Sequence, residues 1–285
     1  MRVLVTGGAG FVGTNLIKRL LNDGHKVVSL DNYSTGFKEN EQKGCQYFDL
    51  DITKVRDYSF FADKPDVIFH IAALARIQPS IFSPKETIEN NFNGTLNILE
   101  YARKNDIEVV YAGSSSKHHG LYGSPYAWSK YGGEELCKLY SEVYGLSTTI
   151  CRFYNVYGPC QILEGEYAAI IGIFQTQYLN GKPLTITADG EQRRDFTHID
   201  DIVDGLIRCT GKDFRAEEFE LGSGVNYSIN ELADMFGGIE KKYIPPRPGE
   251  YDKTLCDYSK AEKQLGYKPK DNLKKYIKQW LEENK

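Results

Sequence analysis

Tyr126 and Lys130 stand four residues apart, directly after the helix-start signal Ser124-Pro125. On a helix that spacing puts both side chains on one face, so the ammonium can lie beside the phenol and favour its phenolate form. A phenol tuned in this way acts as a general acid or base towards an alcohol or ketone oxygen. Ser124 is expected as the N-cap and Pro125 as the first helical residue. A lone pair of this kind is more often aromatic packing beside a surface lysine. A dinucleotide site upstream is what turns it into evidence for chemistry. Just before it, the strand Ile107 to Ala112 leads into Gly113-Ser114-Ser115-Ser116. A hydroxyl there, at the carboxyl edge of an α/β sheet, can bond the reacting oxygen and shuttle its proton. The serines equally suit a turn that caps backbone groups, and three in a row leave the choice open.

The dinucleotide signal lies at the start of the chain. Arg2 to Thr6 is a short apolar strand that runs into Gly7-Gly8-Ala9-Gly10-Phe11-Val12-Gly13. An apolar helix follows (Phe11, Val12, Leu16, Ile17, Leu20, Leu21) and closes at Asn22-Asp23-Gly24. Gly7 permits the tight turn, Gly10 the approach of a pyrophosphate, and Gly13 close helix-to-strand packing, while the helix start offers amides and a positive dipole. A second strand, Lys26 to Leu30, ends at Asp31, where an acid can accept from both ribose hydroxyls and repel a 2′-phosphate. Asn32 follows, and no basic residue occurs before Lys38, so the expected cofactor is NAD rather than NADP. The plainer reading of Asp31 is a solvated acid at a strand end.

The elements needed to position these residues are visible along the chain. Strand-like runs at 2 to 6, 26 to 30, 45 to 48, 66 to 71, 107 to 112 and 148 to 153 alternate with helical patterns, which predicts a doubly wound parallel α/β sheet of Rossmann type. The helix expected over 85 to 104 carries a core-facing stripe of Ile88, Phe92, Leu96, Leu99 and Tyr101. After Pro159 the alternation becomes irregular: a helix near 168 to 180, a strand at 184 to 187, a helix from Asp200 to Thr210, a proline-rich turn at 245 to 249, and an amphipathic helix near 271 to 283. We therefore expect a dinucleotide domain over 1–158 and about 196–211, and a smaller α/β substrate lobe over 159–195 and 212–285. The 285 residues, 41% hydrophobic and 26% charged with net charge −4, suit a soluble globular chain without a polyanion-binding signature. No apolar run reaches the roughly 20 residues of a membrane helix, and a cytoplasmic location is expected. Six cysteines are scattered without metal-site or disulfide spacing and read as reduced packing residues. Adjacent His118 and His119 lack an acid or Cys partner in sequence and read as a polar loop, so no metal is expected.

The ordered series TGGAGFVG, DNYSTG, DLDI, HIAAL, NNFNGTLNILE, SPYAWSK, RFYNVYGP, DGEQRRDFTHIDD and RPGE resembles the extended, nucleotide-sugar-modifying branch of the short-chain dehydrogenase/reductases, and among them the UDP-hexose 4-epimerases. The resemblance runs nearly the whole length of the chain. It implies that Gly7, Gly10, Phe11, Val12, Gly13, Asp31 and Asn32 meet NAD, that Asp51 and Ile52 flank the adenine, that Ala72, Ala73 and Leu74 line the cofactor trough, and that Asn91 approaches it. Tyr126 and Lys130 are implied as catalytic. Counting back from Gly120 puts the catalytic hydroxyl at Ser115, with Ser116 beside the substrate. Asn155, Arg194 and Arg247 are implied at the nucleotide diphosphate, Glu250 at the nucleoside ribose, and Asp195, Asp200 and Asp201 as structural. The branch's 4,6-dehydratases and decarboxylases place an acid one or two positions after the catalytic hydroxyl. Here those positions hold Ser116 and Lys117, which favours 4-epimerisation through a 4-keto sugar with retained NAD. Thr254 falls where such epimerases vary a gate beside the sugar C2 group, and a small residue there leaves room for an N-acetyl group, so UDP-glucose/galactose and UDP-N-acetylglucosamine/N-acetylgalactosamine are the expected pairs. The alternatives are a dehydratase or 2-epimerase reaction, or a non-catalytic NAD-binding sensor or scaffold. Two departures stand out: Lys117-His118-His119 before Gly120, and a shortened segment between Gly120 and Tyr126. The resemblance also implies a homodimer built from the helix after Asn91 and the helix carrying Tyr126.

Overall fold

Contiguous apolar runs suit strands buried on both faces by flanking helices, and such runs form the central sheet. In the computed structural model, which describes residues 1–55 and 63–284, the first half contains β1 (Arg2–Thr6), α1 (Phe11–Asn22), β2 (Lys26–Asp31), β3 (Cys45–Asp49), β4 (Val67–His70), α2 (Ile77–Phe82), α3 (Pro84–Ile88), α4 (Gly94–Asn105), β5 (Glu108–Ser114), α5 (Pro125–Tyr144) and β6 (Thr148–Phe153). The second half adds β7 (Val156–Tyr157), α6 (Ile170–Leu179), β8 (Leu184–Thr187), β9 (Arg193–Asp195), β10 (Thr197–His198), α7 (Ile199–Arg208), β11 (Glu217–Leu221), β12 (Asn226–Ser228), α8 (Ile229–Asp234), β13 (Lys241–Ile244), α9 (Ser259–Leu265) and α10 (Leu273–Glu283).

The large sheet has seven strands in the order β11-β6-β5-β4-β1-β2-β3. All its pairings are parallel, with Leu4 opposite Val28 on one side and Ile68 on the other. From β1 the chain winds outward through β2 and β3, then returns to β4 and winds the other way. The crevice at the carboxyl ends of β1 and β4 is therefore the topological switch point, where ligands of such sheets bind. One face is packed by α1 and α7 through Leu16, Ile17, Leu20, Ile202 and Leu206, the other by α4 and α5 through Ile98, Leu99, Ala102 and Cys137. Each such side chain contributes roughly 1.5–3 kcal/mol by leaving water.

The second lobe has its own core of Tyr157, Ile171, Phe174, Leu184, Ile186, Phe196, Leu232, Phe236, Leu273 and Ile277. Two features differ from the expected division. Residues 217–221, grouped with the lobe over 212–285, instead form the outermost strand of the large sheet against β6. Its alternating Glu-Glu-Phe-Glu-Leu pattern hides this role, because Phe219 and Leu221 enter the core while Glu218 and Glu220 serve an ion-pair cluster. Ala261 and Leu265 of α9 likewise pack into the core of the large sheet. The helix expected over 85–104 is broken by a π-helical turn at Glu89–Asn93, a widening often found beside functional sites.

Candidate active site

A cavity of about 880 Å³ opens at the switch point and runs from the glycine turn to the second lobe. Gly7 has φ +74°, and a Cβ there would lie 2.8 Å from Ala72 Cα; a Cβ on Gly13 would collide with the Gly7 carbonyl. The turn thus needs its glycines for backbone conformation at one end and close packing at the other. Asp31 accepts the Ala9 and Tyr33 amides, each at 2.8 Å. Burial pushes its carboxyl up from the ordinary value, and those amides pull against the rise. Gly7, Gly10, Phe11, Val12, Gly13, Asp31, Asn32, Ile52, Ala72, Ala73 and Leu74 all line the cavity. A cradle closed to side chains that ends in an oriented carboxylate fits NAD. These residues would hold it, and the bound nicotinamide supplies a reversible hydride acceptor.

Two expected cofactor contacts are placed differently. Asp51 is spent on its own turn, accepting the Thr53 amide at 2.9 Å and the Thr53 hydroxyl at 2.7 Å, with Lys54 at 3.0 Å; its neighbours Leu50 and Ile52 form the wall. Asn91 is buried behind the trough rather than in it. Its Oδ1 accepts the Leu74 amide at 2.8 Å, and its Nδ2 donates to the Leu74 carbonyl at 3.2 Å and to Ser129 Oγ at 3.0 Å. Asn91 therefore positions the trough backbone, and Asn90 is the residue of that pair that lines the cavity.

The reacting end is built by α5 and the turn after β5. Ser124 Oγ accepts the Ala127 amide at 3.1 Å and starts α5, with Pro125 at its first turn. Tyr126 lines the cavity, whereas Lys130 is 4% exposed with its Nζ 4.3 Å from the Tyr111 ring centroid. Burial lowers the Lys130 ammonium to about 8, opposed by Glu134. Burial also raises the Tyr126 phenol, opposed by Ser114 and by the charge of Arg76. Ser114, Ser115 and Ser116 all reach the cavity wall. The hydroxyl nearest Tyr126 is that of Ser114, 3.4 Å away, which also accepts the Ser116 amide at 3.2 Å and lies 2.9 Å from Ser116 Oγ.

Behind the serines lies a buried ion cluster. Arg152 forms a fork on Glu134, with Nε 3.1 Å from both carboxylate oxygens and Nη2 2.7 Å from one, and it reaches Glu218 at 2.7 Å and Glu220 at 2.8 Å. Lys117 sits 3.2 Å from Glu218, and His118 Nε2 2.8 Å from Glu220. The unusual Lys117-His118 pair thus ties the serine turn to β11.

At the opposite end, Arg194, Arg247, Glu250, Tyr251, Asn155 and Thr254 line the cavity. Asn155 has both amide hydrogens committed, to the Asp195 carbonyl at 2.9 Å and to Thr254 Oγ1 at 3.2 Å, so in this geometry it does not offer a donor to a phosphate. Thr254 Oγ1 also accepts the Asp195 amide at 2.9 Å and is fixed rather than free to swing. The buried Asp195 carboxylate gathers the amides of Ser223, Gly224 and Cys256 and holds this wall together. The 246–251 loop roofs the cavity: Gln78 Nε2 donates to the Pro248 carbonyl at 2.7 Å, and the His119 ring stacks on Tyr251 with centroids 4.3 Å apart.

Arg76 is a functional candidate that sequence reasoning missed. It follows the trough residues, lines the cavity, and lies close enough to Tyr126 to act on its charge. A basic residue two positions after HIAAL was the available signal.

Comparison with known proteins matches residues 3–222 to the family described as NAD dependent epimerase/dehydratase. The chain is 36% identical to a putative UDP-glucose 4-epimerase of Methanocaldococcus jannaschii, over 99% of both chains. Among solved structures it resembles the UDP-glucose 4-epimerase of Thermotoga maritima with UDP-glucose, at 31% identity and TM-score 0.92, covering 99% of this chain and 98% of that one. It also resembles the UDP-glucuronic acid 4-epimerase of Bacillus cereus in complex with UDP-glucuronic acid and NAD, at 29% identity and TM-score 0.89, covering 99% of both.

Proposed function

The chain belongs to the NAD dependent epimerase/dehydratase family, and on that premise we propose that it inverts C4 of a UDP-linked hexose. The observation that carries this reading is the shortage of acids at the reacting end. Among the described residues the carboxylates on the cavity wall are Asp31, Glu166 and Glu250, and the positions after Ser115 are a serine and an ion-paired lysine. Dehydration needs a second proton handler; C4 inversion needs only a phenol, a hydroxyl and a hydride acceptor.

In this reading Tyr126 takes the proton of the C4 hydroxyl, directly or through Ser115, as the C4 hydride is removed, and later returns it. Lys130 steadies the phenolate by its charge. Arg194 and Arg247 grip the diphosphate, where a guanidinium fork matches phosphate oxygens. The sugar then turns about the bonds between the diphosphate and the ring, presenting its opposite face. The exposed apolar side chains Leu139, Val143 and Tyr144 on α5 support a homodimer as part of the same reading. Among the described residues no helix is long and apolar enough to cross a membrane.

The test is to incubate purified protein with UDP-hexoses and follow C4 configuration by NMR. The expected result is an equilibrium mixture of C4 epimers without consumption of added NAD. Accumulation of a dehydrated sugar, or stoichiometric formation of free NADH, would sink the scheme.

A further inference from the structure

Arg76 carries a charge that nothing among the described residues matches. Its Nη1 donates to the carbonyl of its own neighbour Ala75 at 2.9 Å, and its Nε is buried without a partner. Among the described residues no carboxylate forms an ion pair with it, although it stands on a wall shared with Tyr126. The wall carboxylates are employed elsewhere or lie open: Asp31 holds the Ala9 and Tyr33 amides, Glu250 faces Arg194, and Glu166 is exposed on the loop before α6. A half-buried guanidinium without an anion loses hydration and recovers little from the protein. Its Nη2, which donates to no protein group among the described residues, is therefore the donor that a ligand can meet first.

Two anionic groups on a nucleotide sugar could answer it. On the proposed reading the diphosphate already has Arg194 and Arg247 in the second lobe, whereas Arg76 shares its wall with Tyr126 and acts on the charge of that phenol. Neutral hydroxyl or acetamido groups call for no cation. We propose that Arg76 receives a carboxylate borne by the sugar, so that the substrate class is an acidic UDP-hexose; this rests on the epimerase reading above and names its substrate. The guanidinium fork matches a carboxylate with two parallel hydrogen bonds. The carboxylate can be C6 of a hexuronate or the end of an ether-linked acid, and both present the same group to Arg76.

The experiment measures turnover by NMR for wild type, Arg76→Gln and Arg76→Lys with UDP-glucuronate, UDP-N-acetylmuramate and UDP-glucose. Binding of the same three sugars is measured calorimetrically in a Tyr126→Phe background with and without Arg76→Gln. The expected result is a preference of about tenfold or more for one acidic sugar over UDP-glucose, removed by Arg76→Gln and partly kept by Arg76→Lys. Whichever acidic sugar shows the Arg76-dependent preference identifies the carboxylate's attachment. Arg76-dependent binding of an acidic sugar without C4 inversion would retain the proposal and remove the epimerase reading. Inversion of UDP-glucose with an acidic-to-neutral ratio that Arg76→Gln leaves unchanged would do the reverse.

Discussion

The Tyr126 phenol and the Ser114 hydroxyl lie 3.4 Å apart, while Ser115 lines the cavity one residue further on. Ser114 thereby joins the Tyr126 phenol to the serine turn, and on the proposed reading the two serines have separable tasks. Tyr126→Phe should lower turnover by about 10²–10⁴-fold, the usual weight of a positioned acid/base. Ser115→Ala should lower kcat without moving the pH dependence of the acid limb. Ser114→Ala should move that limb to higher pH, because the hydrogen bond between Tyr126 and Ser114 pulls the phenol down. Steady-state pH profiles of the three variants decide the matter; an unshifted limb in Ser114→Ala would reassign it to turn geometry alone.

Lys130 makes activity and stability pull in opposite directions. Burial lowers its ammonium from 10.5 to about 8. Below pH 8 the folded and unfolded chains both carry the proton, and the folded one bears the full cost of a buried charge. Between about 8 and 10.5 the folded chain has released that proton while the unfolded chain keeps it, so this group's contribution to stability improves as pH rises. Lys130→Met should therefore melt several degrees higher than wild type at pH 7, with the gap closing towards pH 10, yet lose most of its activity. The wild-type rate should fall on the alkaline side near pH 8. Melting curves at pH 7 and 10 that differ equally for both proteins would refute this account.

We expect Asp31 to select the cofactor. Asp31→Ala removes the acceptor for the ribose hydroxyls and the charge that repels a 2′-phosphate, so NAD affinity should fall by about tenfold while NADP affinity rises. Fluorescence titration with both reduced dinucleotides measures the exchange. If NADP still fails to bind, another part of the wall excludes it.

The ion cluster behind the serines is tested by removing its centre. Arg152→Met leaves Glu134, which is 0% exposed, without its guanidinium and should cost about 3–5 kcal/mol. Glu134→Leu combined with Arg152→Met should recover much of that loss, since no uncompensated charge remains between them. Urea denaturation of the single and double variants reads both effects, and a purely additive double variant would argue against direct coupling.

Local spacing made part of this molecule legible in its sequence. Strands buried on both faces announce themselves as apolar runs, as in Val3-Leu4-Val5 or Val67-Ile68-Phe69. The glycine turn, Asp31, Tyr126 and Lys130 declare themselves through short, fixed intervals that one strand, turn or helix imposes. The seventh strand was hidden because three of its five residues are glutamates, and the purpose of Glu218 and Glu220 becomes visible only once Arg152 is beside them. Asn91 and Asp51 carried family roles, yet their side chains are spent on Leu74 and Thr53. Arg76 was overlooked because its significance depends on an absence of anions, and an absence is decided by packing across the whole cavity. No interval in the sequence records that.

The His119–Tyr251 stack and the Gln78–Pro248 bond fasten the 246–251 loop to the other half of the molecule from two sides. On the proposed reading a sugar caught midway through inversion is a ketone, a compound of no use to the protein if it diffuses away. Those two fastenings hold the loop against the cavity in which it would form. They would govern how many molecules the enzyme converts before one escapes unfinished, a measure of endurance that is independent of speed.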